Sequence, residues 1–258
     1  MTPMALLQRS RGLVIPVGLV VLTEAWGRSI SLDSLTLAIP SNIVLTFGKA
    51  VVDGSIATAT AQTLVAVVIG VTVGTAIGLV LGIALGLVRQ LDRLFALTIE
   101  LIRPIPTVAL IPLVILIAGL GYGTEITIVA FGTLWPIFIM SRAAIRSVEP
   151  RLFEVADALG LSWWQRVQTI VLPSIAPRVF LAFRLAVGFA LIIAVTVEIT
   201  TNPLGLGNAM VIAQNALDPA LALALLIWIG FIGWALSRIL SRLEHLVFPA
   251  SAITGPRQ

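Results

Sequence analysis

The sequence contains no cysteine, one histidine and one lysine, and charged residues make up only 11% of its 258 residues. Without cysteine it can form neither disulfides nor thiolate metal sites. The histidine, His245, has no second imidazole or carboxylate cluster at metal-ligand spacing. The lysine, Lys49, lies outside any Gly-x4-Gly-Lys-Ser/Thr loop, and no Ser-His-Asp arrangement is present. We therefore expect a protein that is not an enzyme and holds neither ATP nor a metal itself.

Long apolar runs dominate what the sequence does contain. Hydrophobic residues make up 59% of the chain and the mean hydropathy is +1.09, values typical of a chain in lipid. A helix needs about 20 largely apolar residues to cross a bilayer. We predict an all-α membrane protein, one domain over residues 1–258, with about six transmembrane helices at 12–28, 58–88, 104–120, 124–146, 178–200 and 219–243.

The basic residues predict the orientation, because positively charged loops stay on the cytoplasmic side. With both termini inside, only Arg28 and Lys49 are external. The basic residues then on the cytoplasmic side are Arg9, Arg11, Arg89, Arg93, Arg103, Arg142, Arg146, Arg151, Arg166, Arg178, Arg184, Arg238, Arg242 and Arg257. They flank several spans and form no single basic face, which argues against nucleic-acid binding. We expect a multi-pass protein of the bacterial cytoplasmic (inner) membrane.

Glycine and proline predict details of the spans. Pro104 and Pro106 break a helix, so residues 94–103 and 107–118 should be two helical pieces that meet at a kink. The external segment 27–58 is expected to hold a short amphipathic helix. A row of glycines four residues apart in the second span lets another helix approach closely, either for packing or as a surface that slides during transport. These glycines are Gly70, Gly74, Gly78, Gly82 and Gly86.

The cytoplasmic segment 147–175 is predicted to form a stiff helix-turn-helix. Residues 151–159 are good helix formers, and Gly160 suits the left-handed position that ends a helix. Ser162 with Gln165 makes a capping box that starts a second helix, which we expect Pro173 to interrupt.

The same segment resembles a known family. Its pattern is similar to the EAA loop, Glu-Ala-Ala-x3-Gly-x9-Ile-x-Leu-Pro, of type I ATP-binding-cassette (ABC) importer permeases. Val155 replaces the first alanine. The resemblance covers about residues 54–248 and is closest to the nitrate, sulfonate and taurine subgroup, through residues 103–106, Glu198 and residues 205–207. The matching loop positions are Glu154, Ala156, Gly160, Ile170, Leu172 and Pro173.

The resemblance implies a permease that forms the pathway for a small solute, expected to be anionic. Two copies of a separate ATPase would bind ATP and Mg, and a binding protein would deliver the solute from outside. A second permease, expected to be identical, would complete a homodimer in membrane lipid. The residues implied in ATPase coupling are Glu154, Val155, Ala156, Asp157, Ala158, Leu159, Gly160, Trp163, Trp164 and Arg166. Trp163 and Trp164 fit interfacial anchoring equally well.

Polar groups inside spans are costly and therefore mark candidates for the translocation path. Glu198 has two interpretations: a structural pairing partner, or a gate or solute contact. It also leaves open a different function, a secondary transporter or channel driven by an ion gradient, which would work without an ATPase. The path candidates are Glu198, Thr196, Thr200, Asn202, Trp135, Gln214 and Asn215.

Overall fold

The computed structural model describes residues 3–30 and 37–248, with side chains from Val14 onward. Within those ranges every regular element is helical, which confirms the all-α prediction. Residues 31–36 of the predicted external segment, and Arg257, lie outside the described residues. The helices are α1 (Pro3–Ser29), α2 (Pro40–Val52), α3 (Ser55–Leu87), α4 (Arg89–Ile102), α5 (Ile111–Ala118, after a 3₁₀ turn at Thr107–Leu110), α6 (Tyr122–Arg146), α7 (Pro150–Ala158), α8 (Trp163–Arg166), α9 (Leu172–Thr200), α10 (Gly205–Asn215) and α11 (Pro219–Val247).

Four helical stretches are long and apolar enough to cross a membrane alone: α3, α6, α9 with the turns leading into it, and α11. Helices α3 and α6 run parallel, because Gly70 lies against Val129 and Gly86 against Ile145. Helix α9 runs the other way, since Glu198 near its end reaches Thr63 near the start of α3. The bundle therefore has an arginine-rich end, where α3, α6 and α11 finish, and an arginine-poor end, where they start.

The chain between α3 and α6 must return from the arginine-rich end to the arginine-poor end. It does so as a broken crossing, with Arg89–Ile102 and Thr107–Ala118 bent by 85°. The second piece is about 18 Å long at 1.5 Å per residue, too short for a bilayer core of about 30 Å. The predicted kink at the prolines is confirmed, and the predicted span 104–120 is only part of this crossing. Ion pairs from Arg142 and Arg146 to Asp92 fasten α4 to α6.

The first predicted span, 12–28, falls within α1. That helix is not among those that meet the length and hydropathy requirement for crossing, so its role as a span stays a prediction. The Glu24 carboxylate accepts from Arg28 Nε at 2.6 Å and from the Ser41 backbone N–H at 3.0 Å, which ties α1 to α2. Helix α2 is the expected short helix, and its Phe47 packs on Trp228 of α11 with ring centroids 5.4 Å apart.

The helix after the loop does not stop at Pro173, as the sequence had suggested. One helical run extends from Trp163 to Thr200. Residues Val167–Val171 form a π-helical turn, in which the Leu172 N–H bonds to the Val167 carbonyl. Such a turn shifts the backbone hydrogen-bond register by one residue, so the helix tolerates the missing N–H of Pro173. The predicted interruption at Pro173 is therefore wrong, while the predicted loop end at 175 and span start at 178 stay predictions.

The glycine row of α3 packs against α6, as predicted. A Cβ at Gly70 would lie 2.6 Å from Val129 Cγ1, and one at Gly78 would lie 2.6 Å from the backbone oxygen of Leu134. One at Gly82 would lie 2.6 Å from Ser141 Cβ. The two backbones are therefore closer than any side chain on this stripe of α3 would allow.

We expect Gly78→Ala to destabilise the protein by about 1–3 kcal/mol, because the added methyl overpacks against a backbone atom. Gly48→Ala in α2 is the control, since its Cβ would meet nothing within 4 Å. Alanine there should be neutral or slightly stabilising through helix propensity. Thermal unfolding of the purified variants in detergent measures both. Equal melting temperatures would contradict close packing at this stripe.

Candidate functional site

The helix-turn-helix at the arginine-rich end contains α7, Gly160 and α8. Gly160 has φ +67°, a left-handed conformation that ends α7. Its N–H bonds to the Asp157 carbonyl at 3.0 Å, and the Leu161 N–H bonds to the Ala156 carbonyl at 3.0 Å. This pair of bonds is a Schellman motif, which satisfies the last carbonyls of the helix. The predicted end of the first helix is therefore confirmed.

The start of α8 also follows the prediction. Ser162 Oγ accepts the Gln165 N–H at 3.4 Å, and the Gln165 side chain accepts the Ser162 N–H at 2.7 Å. Arg166 pairs with Asp157 at 2.5 Å and donates to the Leu161 carbonyl at 2.9 Å. Because Asp157 is on α7 and Arg166 on α8, this arginine braces one helix against the other across the turn.

Side chains of this loop divide into a buried anchor and an exposed surface. Ala156 is fully buried, which leaves no room for a larger side chain at the matching position of the motif. The other predicted coupling residues on α7 face outward. They are Glu154, Val155, Asp157 and Ala158. Large apolar side chains on the exposed surface are Val155 at 54% exposure, Leu159 at 69%, Trp163 at 54% and Trp164 at 66%.

At the arginine-poor end, Glu198 is 2% exposed and fully hydrogen-bonded. Its Oε1 accepts from the Thr63 hydroxyl of α3 at 2.6 Å, and its Oε2 accepts from the Gly207 N–H of α10 at 2.7 Å. A second carboxyl, Glu125 of α6, is fully buried beside it and accepts from Asn202 Nδ2. We call Thr63, Glu125, Glu198 and Asn202 the carboxylate cluster. It joins α3, α6 and α9 to α10.

The first three N–H groups of α10 are all satisfied by side chains from other helices. Gly205 donates to Gln62 Oε1 at 2.9 Å, Leu206 to Thr63 Oγ1 at 3.0 Å, and Gly207 to Glu198. A carboxylate at this position is also favoured by the helix dipole. A Cβ at Gly205 would collide with the Glu198 carboxyl, and one at Gly207 would lie 2.8 Å from Glu198 Cβ. Glycine at 205 and 207 therefore makes room for Glu198.

The structure separates the other predicted path residues. Thr196 lines a groove of about 630 Å³ between α9 and α11, on the face of α9 opposite Glu198. Thr200 is exposed at the end of α9, and Gln214 and Asn215 are exposed at the end of α10 rather than inside a span. Trp135 lies on α6 beside an apolar cavity, and its buried Nε1 has no hydrogen-bond partner among the described residues. Only Glu198 and Asn202 belong to one cluster.

Sequence reasoning missed Glu125, Gln62 and Thr63. Glu125 can be recognised from the sequence, because an acidic residue at the start of an apolar span is costly unless it is paired. Gln62 and Thr63 cannot be recognised in this way, since their partners on α10 are 143 residues away in the chain.

Thr63→Val should destabilise the protein by about 1–3 kcal/mol, because it keeps the shape but leaves the buried Leu206 N–H and Glu198 Oε1 without their partner. Thr72→Val is the matched control: Thr72 is on the same helix, exposed, and bonds only to its own helix at Val68 O. Thermal unfolding in detergent measures the difference. Identical losses for the two variants would show that the cluster does not stabilise the fold.

Parallel α3 and α6, a broken crossing between them and a helix-turn-helix before the long α9 describe a multi-pass membrane protein. Residues 74–252 match the family described as "Binding-protein-dependent transport system inner membrane component", and the chain belongs to that family. This confirms a transporter subunit that is not an enzyme, in the inner membrane. It favours the importer over the ion-gradient alternative.

Named relatives agree with this assignment. The chain is 34% identical to the riboflavin transport system permease protein RibX of Chloroflexus aurantiacus, over 89% of this chain and 88% of that protein. It is 26% identical to the putative aliphatic sulfonates transport permease protein SsuC of Bacillus subtilis, over 80% of this chain and 74% of that protein. Nitrate and taurine permeases also match, which confirms the predicted subgroup resemblance.

A solved structure shares the fold. A chain of the MetNI methionine ABC transporter, in an inward facing conformation, superposes with a TM-score of 0.64 at 20% identity. The match covers 72% of this chain and 93% of that chain.

Proposed function

We propose that this chain forms, with a second identical copy, the membrane pathway of an importer powered by a separate ATPase that docks on α7 and α8. The main observation in favour of docking at this loop is the helix-turn-helix, which the Asp157–Arg166 pair braces and which exposes apolar residues. Val155, Leu159 and Trp163 offer an apolar surface, while the charged Asp157–Arg166 pair borders it. Such a surface is suited to a groove on a partner protein.

The arginine-rich end supports a cytoplasmic position for this surface. With α7 and α8 at the arginine-rich end, the positive-inside rule puts the docking loop in the cytoplasm, where ATP is available. With α1 as a further crossing, both termini are then cytoplasmic. The carboxylate cluster and α10 lie on the outer side, where a binding protein would deliver the solute. ATP and Mg would be bound by the partner ATPase.

The exposed face of α9 supports the second copy and is where we propose that it packs. Leu185, Phe189 and Ile192 on this face are 49%, 54% and 64% exposed, and they line the groove between α9 and α11. Lipid or a second permease can cover such a face. Pairing two copies there would enclose the groove and put the Thr196 hydroxyls near the shared axis, as a pathway requires.

For the solute we propose a small anion, of the sulfonate, nitrate or carboxylate type, in line with the sulfonate relative. A neutral flat ring is the second candidate. It is favoured by the higher identity to the riboflavin permease and by the groove, whose polar side chains are only Arg184, Thr196 and Ser237.

Gly160→Val should abolish transport while membrane insertion persists. Nothing lies within 4 Å of a Cβ at Gly160, so the substitution acts through its φ of +67°, which costs a β-branched residue about 1–2 kcal/mol. Gly160→Asn is the matched control, because asparagine tolerates this conformation and should keep transport. Uptake into vesicles containing the ATPase, with co-purification of the ATPase, measures both. Normal uptake by the valine variant with ATPase bound would refute the coupling role.

ATP-driven uptake of labelled taurine, nitrate and riboflavin, with the cognate ATPase and binding protein, tests the solute. We expect uptake of an anion, with KM raised roughly two- to tenfold by Thr196→Val, the loss of one hydrogen bond. Thr72→Val should leave KM unchanged, because Thr72 lies on α3 outside the groove. Uptake of riboflavin alone would select the second candidate, and uptake of none would reject both.

A further inference from the structure

Helix α4 is fastened to α6 near its start, and further along it borders an apolar cavity. We propose that this part of the protein binds one anionic phospholipid. The phosphate of its headgroup lies on Arg89, Arg93 and Arg146, and one of its acyl chains fills the cavity. The ligand is a diacyl lipid with a negatively charged headgroup, of the phosphatidylglycerol type. Its site is separate from the docking loop and from the carboxylate cluster.

The headgroup end of the site is a polar pocket of about 400 Å³ at the arginine-rich end, where α3 finishes and α4 begins. We call its charged residues, Arg89, Asp92, Arg93 and Arg146, the arginine pocket. Asp92 is the only acid among the described residues that line it. This carboxylate already pairs with Arg142 and Arg146 of α6.

The arginine pocket has positive charge that no protein group neutralises. Its three arginines and one carboxylate leave a formal charge of +2. Arg89 and Arg93 are exposed, and among the ion pairs of the described residues none includes either of them. Glu100, the other acid of α4, lies about two turns further along, in a groove that Arg103 also lines.

Such a pocket suits a phosphate group. The guanidinium of arginine stays charged and matches the oxygens of a phosphate with two parallel hydrogen bonds. Basic pockets between transmembrane helices on the cytoplasmic side bind the headgroups of anionic lipids in this way.

The chain end of the site is the apolar cavity beside Trp135, which has a volume of about 340 Å³. Phe95, Ile99 and Ile102 of α4 line one side of it, and apolar side chains of α3 and α6 line the other. The three helices therefore leave a space between them that only an apolar group fills favourably. Dry apolar cavities of about 150 Å³ already bind small hydrocarbons, so a larger one within a bilayer favours a hydrocarbon chain.

The two parts are adjacent and lie between the same three helices. Consecutive residues of α3 line them, Gly86 the pocket and Leu85 the cavity. On α4, Arg93 lines the pocket and Phe95 the cavity. Because α3 finishes at the arginine-rich end, the pocket is nearer the membrane surface and the cavity nearer the middle of the bilayer. A free phosphate ion would use the pocket alone, whereas an anionic lipid uses both parts.

Native mass spectrometry of the purified, delipidated full-length protein tests the headgroup. We expect the first dioleoyl phosphatidylglycerol to bind more tightly than dioleoyl phosphatidylcholine, whose headgroup has no net charge. Arg89→Gln/Arg93→Gln should weaken phosphatidylglycerol binding by about 10- to 100-fold, because two arginines near the lipid phosphate are lost. The matched control is Arg151→Gln/Arg242→Gln, which removes the same charge from exposed residues outside the pocket and should leave the Kd unchanged.

Leu81→Trp tests the position of the acyl chain. Leu81 lines the cavity, so the larger side chain should weaken phosphatidylglycerol binding roughly tenfold, the effect of displacing about two methylene groups. Val80→Trp is the control, because Val80 is 65% exposed on the same helix and does not line the cavity. Melting temperatures without lipid show that both variants are folded.

Four results would overturn the proposal. Equal affinity for the two lipids, or equal Kd values for the two arginine variants, would refute the headgroup site. Displacement of the lipid by inorganic phosphate, with equal binding by the two tryptophan variants, would leave a site for a free ion only. Loss of a co-purifying ATPase in Arg89→Gln/Arg93→Gln, with lipid affinity unchanged, would make the pocket a protein contact. Lipid binding is measured on the chain alone, so its failure does not bear on the proposed transport role.

Discussion

The close approach of α3 to α6 determines the geometry of the rest of the bundle. Five glycines remove every side chain from one stripe of α3, so the backbones meet directly and in one register. That register puts Gln62 and Thr63, about two turns before Gly70, at the same end of the bundle as Glu125, about one turn before Val129. Helix α9 then brings Glu198 into the space between them. The carboxylate cluster is therefore a product of glycine packing several residues away.

The N-terminus of α10 shows how free backbone N–H groups find hydrogen-bond acceptors where water is excluded. Water is scarce there, so each free N–H needs a protein acceptor. Two acceptors come from α3 and one from α9. The short motif Gly205-Leu-Gly207 gains a physical meaning from this arrangement. Its glycines leave space for a carboxyl, and its N–H groups compensate the negative charge of that carboxyl.

Local rules predicted the loop in detail and the membrane helices in outline. The capping box at Ser162, the left-handed Gly160 and the kink between Pro104 and Pro106 each depend on neighbours within a few residues, and all three are present. Helix boundaries are predicted less accurately. Local rules predict that the helix stops at Pro173, but a π-helical turn accommodates this proline. The apolar runs also gave no hint that α10 is a separate helix with Gln214 and Asn215 outside the bundle.

The parts of the site that were missed depend on contacts between distant segments. Glu198 was selected as a lone buried acid, and both its partner acid and its donors are on other helices. The Thr63 hydroxyl is an ordinary residue in an apolar span when seen in sequence, and only the packing of α3 on α9 gives it a role. Thr196 and Glu198 are both polar groups in one predicted span, yet their spacing of two residues puts them on opposite faces of a helix.

The continuous run from Trp163 to Thr200 has a mechanical consequence. A helix of this length extends about 57 Å, from the aromatic pair Trp163 and Trp164 to the carboxylate cluster. Its first turns belong to the loop and its last turn carries Glu198, with no flexible linker between them. A pivot of the whole run by a few degrees about one end displaces the other end by several ångströms, which connects movement of the loop to the carboxylate cluster.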